Sequence, residues 1–227
     1  LASNCINQNK KLIQKKLVIH NFGNVSLRLD KDHFVIKPSG AKISSLVPND
    51  MPIVNIKTGK KIKGKLKPST DTPTHLEIYK NNKNIKSITH THSTYATVWA
   101  QSGKPIPLIG TTHADYCQQN IPVTNFIKKS LILKDYEKNT GFSIISFLKK
   151  NKLNPLNCPG VLVANHGPFC WGSNTKEALK NAEILEYLAE LAYLSLRINP
   201  KSKMNKNLTE KHYSRKHGKK AYYGQNN

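Results

Sequence analysis

The stretch IKSITHTHSTYATVWAQSG, residues 85–103, joins the pattern of a strand to the pattern of a helix. Its first part, Ile85 to Thr91, is rich in β-branched residues, which predicts a strand. Ser93 is a suitable helix N-cap, and Gly103 is a residue type that commonly ends a helix, so the spacing predicts a helix through Trp99. The stretch therefore indicates a fold that mixes strands with helices.

The rest of the chain continues this alternation. The sequence predicts short strands at Phe34–Ile36 and Val54–Ile56, and a buried strand at Gly160–Ala164 that stops at His166-Gly167-Pro168. It predicts helices in the first 20 residues, from Thr72 as N-cap with Pro73 at the first helical position, from Asn139 or Thr140 through Leu148, and from Asn174. The last of these begins with Asn174-Thr175-Lys176-Glu177, which resembles a capping box. We therefore expect a sandwich-like α/β architecture in a single domain, residues 1–227.

The positive charge of the chain has two possible explanations. The 227 residues include 36 Lys+Arg against 13 Asp+Glu, a formal net charge of +23, and such a charge is typical of nucleic-acid binders. However, only Arg28, Arg197 and Arg215 are arginines, and the lysines are scattered along the chain. Because base readout and bidentate phosphate contacts favour arginine, we interpret the charge as compositional bias and predict no specific nucleic-acid partner.

The cysteines and the apolar runs indicate a cellular compartment. The four cysteines, at 5, 117, 158 and 170, include no CxxC pair, so free thiols in a reducing compartment are the simpler interpretation. No run approaches the roughly 20 apolar residues that span a bilayer, and no signal-peptide pattern is present. We expect a cytoplasmic protein without a membrane partner.

Two histidines in Thr89-His90-Thr91-His92-Ser93 form the sharpest local feature. Because side chains alternate along a strand, His90 and His92 point to the same face and can share one metal ion. An isolated HxH is more often a pair of surface histidines on an edge strand. His166 follows the apolar strand, where ligands often bind in α/β folds, although a lone histidine there is usually structural.

Asp71 supplies a carboxylate just before the Thr72 helix start, where its simpler role is helix capping or an exposed loop acid. Three histidines with a carboxylate suit zinc first, and manganese or cobalt less well. A loosely bound Asp71 would leave the open position that a catalytic metal needs.

Three further polar clusters are weak signals by themselves. Asp115 lies in Thr111-Thr112-His113-Ala114-Asp115-Tyr116, where a local turn contact is the simpler interpretation. Gly23-Asn24-Val25-Ser26 and Lys37-Pro38-Ser39-Gly40 could donate hydrogen bonds to phosphate oxygens, but both are also common turn sequences.

Taken in order along the chain, these clusters resemble the L-ribulose-5-phosphate 4-epimerases of the class II aldolase/adducin head superfamily. The matching stretches are GNVS (23–26), IKPSG (36–40), KPSTDTPTH (67–75), HTHSTYATVWAQ (90–101), GTTHADY (110–116), NHGPFCWG (165–172) and RKHGKKAYYGQ (215–225). The resemblance implies a single-domain class II aldolase-like fold, with a central, mainly antiparallel β-sheet flanked by helices. It covers nearly the whole chain from Gly23 onward, whereas residues 1–20 match weakly.

The resemblance also implies the roles of individual residues. It implies a divalent metal, Zn²⁺ or alternatively Mn²⁺ or Co²⁺, bound by Asp71, His90, His92 and His166. It implies Asp115 and Tyr223 as the catalytic acid/base pair, and Gly23, Asn24, Ser39, Gly40, Ser69 and Thr70 as the lining for the substrate and its phosphate. Lys37, His212 and Arg215 are further candidates. The implied assembly is a homotetramer with active sites at subunit interfaces, in which residues 208–227 complete a neighbouring active site.

The implied reaction is the metal-dependent interconversion of L-ribulose 5-phosphate and D-xylulose 5-phosphate, an isomerase step in arabinose or ascorbate breakdown. No carbonyl is adjacent to carbon four, so the plausible route is retro-aldol cleavage followed by aldol closure on the other face. One alternative is a class II sugar-phosphate aldolase on the same fold, although these tend to carry Glu near the position of Asp71. Another is a non-enzymatic, polyanion-binding member.

The chain departs from the epimerase pattern at two places. Phe22 stands where the family commonly has Trp, and Ser69-Thr70 stands where it has a pair of serines. The second departure keeps a hydroxyl at each position, so hydrogen bonding to a phosphate should survive.

Overall fold

The computed structural model describes residues 1–217 and 221–223, so parts of the stretch RKHGKKAYYGQ lie outside the described residues. The described strands are β1 (Gly23–Arg28), β2 (His33–Ile36), β3 (Ile53–Asn55), β4 (Lys61–Lys63), β5 (Ser87–Thr91), β6 (Gly160–Val163) and β7 (Gly167–Gly172). The described helices are α1 (Ala2–Gln14), α2 (Thr72–Asn81), α3 (Thr94–Ser102), α4 (Thr111–Ala114), α5 (Lys129–Lys150), α6 (Thr175–Ile198) and α7 (Lys206–Lys216). None of these helices is both long and apolar enough to cross a membrane.

The strands form a seven-stranded sheet in the order β4-β3-β2-β1-β5-β7-β6, and each neighbouring pair is antiparallel. Helices cover both faces of the central strands. Because side chains alternate along β6, Leu162 joins the core beneath α1, α3 and α6, whereas Val161 and Val163 join the core beneath α2 and α5. The predicted α/β fold with a mainly antiparallel central sheet flanked by helices is confirmed.

The strand and helix predicted from residues 85–103 are present as β5 and α3. Gly103 ends α3 with a φ of 67°, a backbone conformation that glycine adopts without strain. Ser93 occupies the N-cap position, but its side chain accepts no capping hydrogen bond. Instead the Glu186 carboxylate of α6 accepts from the backbone N–H groups of Tyr95 (2.8 Å) and Ala96 (2.9 Å). Sequence reasoning missed this cap because its two halves lie about 90 residues apart.

The start of α2 differs from the prediction by one residue. Asp71, not Thr72, is the N-cap residue, and its side chain makes no capping hydrogen bond. The start of α6 agrees with the prediction, because the Asn174 side chain accepts from the Glu177 backbone N–H at 2.9 Å. The Glu177 carboxylate accepts from the Ser173 backbone N–H rather than from the N-cap residue itself.

The predicted start of α5 at Asn139 or Thr140 was wrong. The helix begins at Lys129 and is kinked at Asp135, whose φ and ψ are −163° and 73°. Residues 128–135 are all exposed, so this first part has no core-facing side of the kind that makes a helix recognisable in a sequence.

Three strands were not predicted, and one of them is β4, a short exposed strand at the edge of the sheet. Gly23-Asn24-Val25-Ser26 was interpreted only as a polar cluster, but it lies in β1 at the centre of the sheet. His166-Gly167-Pro168 does end β6, yet β7 begins at Gly167 and runs back antiparallel to β6. The chain reverses at Asn165, whose φ is 60°. Sequence reasoning treated the Gly-Pro pair as a stop, whereas here it opens the next strand.

The N-terminal helix prediction is confirmed in part. Leu12 is buried against the sheet, whereas its neighbour Ile13 is exposed. Leu17 and Val18 are also buried, although they lie beyond the end of α1. The N-terminal segment therefore contributes to the core despite its weak resemblance to the family.

Candidate metal centre

Three histidines converge where strand β5 ends and strand β7 begins. One ring nitrogen from each of His90, His92 and His166 lies within 4.8 Å of the others. His90 lies in β5 and His92 directly follows it, and both side chains lie on one face, as predicted, because side chains alternate along an extended chain. His166 lies in the turn between β6 and β7, which places it beside them. His90 is buried and stacks on Phe169 with ring centroids 4.0 Å apart. The arrangement brings together three nitrogen donors at a spacing that suits a shared ion.

The histidines are held in the form that binds metal. Burial lowers the pKa of His166 to about 3 and that of His92 to about 4, and it also lowers the pKa of His90. The imidazoles are therefore neutral at neutral pH, which a metal ligand requires. His90 Nδ1 lies 3.0 Å from the carbonyl oxygen of Pro168, so an Nδ1–H donated there leaves Nε2 free for a metal.

Asp71 faces the same centre. Its Oδ2 atom lies 4.0 Å from His90 Nε2 and accepts a 2.7 Å hydrogen bond from the Asn24 side-chain amide. Burial alone would raise the pKa of Asp71, but the neighbouring histidines and the Asn24 bond outweigh it and hold the pKa below its usual value. The carboxylate is thus ionised beside three neutral imidazoles. This donor set fits a divalent metal, and nitrogen-rich ligands favour zinc.

The predicted substrate-binding segments lie beside this centre and are joined by hydrogen bonds. Lys37 Nζ donates to the carbonyl of Gly23 at 3.1 Å, and the Ser69 backbone N–H donates to the carbonyl of Lys37 at 3.0 Å. Asn24 Nδ2 lies 3.3 Å from Ser69 Oγ. Burial lowers the pKa of Lys37, with Asp71 acting in the opposite direction. Within this cluster Ser39, Gly40 and Thr70 are exposed and can reach a ligand, whereas Gly23, Asn24, Lys37 and Ser69 are buried.

The predicted acid/base residues form a second cluster. Asp115, at the end of α4, accepts from Arg215 Nε (2.9 Å) and Nη2 (2.6 Å) and lies 3.1 Å from His212 Nδ1. Burial would raise the pKa of Asp115, but the hydrogen bonds from Arg215 and His212 outweigh it and lower the pKa. The Tyr223 ring lies beneath two cations, Arg215 at 4.8 Å and Lys216 at 4.4 Å. Asp115, Tyr223, His212 and Arg215 therefore converge, although about 100 residues separate their segments.

The two clusters do not line a common cavity among the described residues. Asp115 and Tyr223 line a cavity of about 740 Å³, together with Lys216 and Tyr187. Among the described residues, neither the three histidines nor Asp71 contribute to the lining of this cavity. The Asp115 cavity of this chain therefore contains none of the four predicted metal ligands.

Sequence reasoning missed two residues next to the metal-type cluster. His75 is fully buried, with Nδ1 2.8 Å from Ser26 Oγ, and burial lowers its pKa to about 3. Its spacing of four residues after Asp71 on α2 was the available signal, because such residues share a helix face. Tyr136 places its hydroxyl 3.3 Å from His166 Nδ1, and no local pattern indicated this contact.

Comparison with known proteins agrees with this fold. The class II aldolase and adducin N-terminal domain family matches residues 4–193. Among solved structures, an L-fuculose 1-phosphate aldolase has a TM-score of 0.77 at 24% identity, covering 94% of each chain. A putative aldolase/epimerase/decarboxylase from Klebsiella pneumoniae has a TM-score of 0.73 at 25% identity, covering 93% of this chain and 96% of that one. A sugar-phosphate aldolase from Thermotoga maritima has a TM-score of 0.68 at 22% identity, covering 87% and 95%. The chain therefore belongs to the class II aldolase and adducin N-terminal domain family.

Proposed function

We propose that this protein is a divalent-metal-dependent sugar-phosphate enzyme, and specifically an L-ribulose-5-phosphate 4-epimerase. The observation that carries this proposal is the convergence of His90, His92 and His166 with an ionised Asp71. A metal held by these residues would act as a Lewis acid for negative charge that develops on sugar oxygens during carbon–carbon bond cleavage. The most suitable ion is Zn²⁺, with Mn²⁺ or Co²⁺ as alternatives.

The exposed residues beside the metal-type cluster would hold the sugar phosphate. Ser39 and Thr70 offer hydroxyl donors, and Gly40 lets the backbone approach a phosphate oxygen closely. A firm hold on the phosphate is necessary for an epimerase, because the cleaved aldehyde must stay bound while it rotates. If it escaped, the same chemistry would give net aldol cleavage.

The Asp115 cluster would move protons at the carbon-four oxygen. That oxygen lies on opposite faces in the two epimers, so two groups are needed, and Asp115 and Tyr223 would serve one each. The Arg215 and Lys216 side chains lie over the Tyr223 ring and would hold it next to Asp115. Because Asp115 and Tyr223 line a cavity to which the described histidines of the triad do not contribute, we propose that they complete the active site of a neighbouring chain in a homotetramer.

A coupled assay tests the epimerase directly. The purified protein with Zn²⁺ or Mn²⁺ should convert L-ribulose 5-phosphate to D-xylulose 5-phosphate, and chelation should stop the conversion. Free glycolaldehyde phosphate in stoichiometric amount would instead identify an aldolase, the second candidate. The short Asp71 side chain, held by Asn24, supports the epimerase, because the aldolases tend to carry Glu near this position.

A non-enzymatic polyanion-binding role is the third candidate, motivated by the charge of +23. The His92→Ala variant separates it from an enzyme, because it should abolish turnover while leaving polyanion affinity as in the wild type. A polyanion affinity that stays constant from low to physiological salt would favour a dedicated anion site over loose charge attraction.

A further inference from the structure

We propose that Tyr136 is a positioning residue for His166, and that its hydroxyl fixes which ring nitrogen of His166 faces the metal. The hydroxyl lies 3.3 Å from His166 Nδ1. Within the part of the chain that the structure describes, it is the one hydrogen-bond partner of the His166 ring. The inference rests on the metal site of the proposed function and deepens it.

The hydrogen bond determines the tautomer. If Nδ1 carries the hydrogen and donates it to the Tyr136 oxygen, Nε2 keeps its lone pair and can bind a metal. If the tyrosine donated instead, neutral His166 would carry its hydrogen on Nε2 and could not bind there. Metal loading therefore selects Tyr136 as the acceptor. The same argument applies to His90, whose Nδ1–H would donate to the Pro168 carbonyl and leave Nε2 for the metal.

His166 needs such a partner more than His90 does. His90 is buried within β5 and stacks on Phe169, so packing holds its ring. His166 lies in the reversal between β6 and β7, directly after Asn165, and its ring meets Phe169 only edge-on at 5.9 Å. A ring in a turn has more freedom to rotate about its side-chain torsions, so a hydrogen bond to Nδ1 does more to orient it.

The tyrosine itself is anchored. The Thr140 hydroxyl donates to the Tyr136 carbonyl at 2.9 Å, and the Thr74 hydroxyl of α2 donates to the Glu137 carbonyl at 2.6 Å. Gly141 lets the two helices approach so closely that an added Cβ would lie 3.0 Å from the Thr74 carbonyl oxygen. Tyr136 is thereby fixed to α2, the helix whose N-cap residue is Asp71.

The test compares Tyr136→Phe with Tyr193→Phe. Both remove one hydroxyl, but Tyr193 is an exposed residue of α6 that is not among the residues lining the Asp115 cavity. The affinity for Zn²⁺ is measured by competition with a chromophoric chelator, and the ligand geometry is read from the visible absorption of the Co²⁺-loaded protein. For Tyr136→Phe we expect an affinity loss of about 10- to 100-fold and an altered Co²⁺ spectrum. Tyr193→Phe should match the wild type in both.

A second variant separates the hydroxyl from the ring. Tyr136→Leu removes the aromatic ring as well as the hydroxyl. If the hydroxyl alone orients His166, the Tyr136→Phe and Tyr136→Leu variants should lose the same amount of Zn²⁺ affinity. If only the Leu variant loses affinity, the ring acts by packing and the inference is wrong. Wild-type affinity and spectrum in Tyr136→Phe would also overturn it. If the wild-type protein binds no Zn²⁺ at the triad, the metal site of the proposed function fails first, and the inference fails with it.

Discussion

The Asn24 side-chain amide donates a 2.7 Å hydrogen bond to Oδ2 of Asp71, and this bond ties strand β1 to the N-cap residue of helix α2. An aspartate at an N-cap position normally accepts from the first backbone N–H groups of its own helix. Here the carboxylate makes no capping bond and instead lies 4.0 Å from His90 Nε2. Asp71 therefore does not cap its own helix, and the hydrogen bond from Asn24 holds its carboxylate beside the histidine cluster.

Replacing Asn24 should weaken the metal centre. In Asn24→Ala the Asp71 carboxylate loses its donor, so its pKa should rise and its orientation should loosen. We expect Zn²⁺ affinity to fall by about 10-fold or more. Chelator competition measures this, with Asn84→Ala, an exposed loop asparagine, as the matched control. Unchanged affinity in Asn24→Ala would mean that the hydrogen bond from Asn24 does not prepare Asp71 for metal binding.

Replacing Asp115 should stop the chemistry without removing the metal. In Asp115→Asn the group remains close in shape but cannot take up a proton, and lost acid/base catalysis typically costs about 10²- to 10⁴-fold in turnover. Metal content, measured by elemental analysis, should equal that of the wild type. His92→Ala should lose both metal and turnover. A fully active Asp115→Asn protein would remove Asp115 from the proposed acid/base pair.

Mixing two inactive variants should restore activity if neighbouring chains share the site. His92→Ala has an intact Asp115 cluster, and Asp115→Asn has an intact histidine cluster. In randomly mixed assemblies, roughly a quarter of the sites would pair two unaltered contributions. We therefore expect about that fraction of wild-type turnover after co-expression of the two variants with different tags. Co-purified assemblies that stay inactive would contradict a site shared between subunits.

Gly23 should tolerate no side chain. Its φ is 117°, and an added Cβ would lie 2.7 Å from the backbone oxygen of His90 and 2.6 Å from Val18 Cγ1. Because the backbone contact cannot relax by rotating a side chain, Gly23→Ala should lower the free energy of unfolding by at least about 2 kcal/mol. Chemical denaturation checks this. Gly110→Ala, where an added Cβ meets nothing within 4 Å, should change the stability little.

Acid should destabilise the fold through His75. Burial lowers the pKa of folded His75 to about 3, whereas an unfolded histidine titrates near 6.5. Between these values the unfolded chain binds the additional proton, so stability is complete above about pH 6.5 and falls as the pH drops toward 3. In that pH range, His75 alone should lower the free energy of unfolding by about 1.4 kcal/mol for each unit by which the pH falls.

The variant His75→Gln tests this contribution. Unfolding free energies of the metal-free protein at pH 7 and pH 5 should differ less in His75→Gln than in the wild type. His20→Gln, which changes an exposed histidine, should keep the wild-type difference. An equal pH dependence in all three proteins would mean that His75 is protonated as readily in the fold as in the unfolded chain.

The sequence alone determined the features that depend on local periodicity. The alternation in Thr89-His90-Thr91-His92 placed two histidines on one face, and Asn174 began α6 as a local cap. Such patterns can be read from the sequence because residues close together in the chain set both the direction of the side chains and the hydrogen bond that caps the helix. The exposed first half of α5 had no such pattern, so its start at Lys129 could not be predicted.

Only the tertiary structure decided the contacts between distant segments. In the folded chain His166 lies beside His90 and His92, and Glu186 lies at the N-terminus of α3. Asp115 pairs with Arg215, which is about 100 residues away in the sequence. The tertiary structure also turned Asp71 away from its own helix and toward Asn24. These contacts depend on the antiparallel order of the strands and on the helices packed against them, because only packing a hydrophobic core fixes which remote side chains become neighbours.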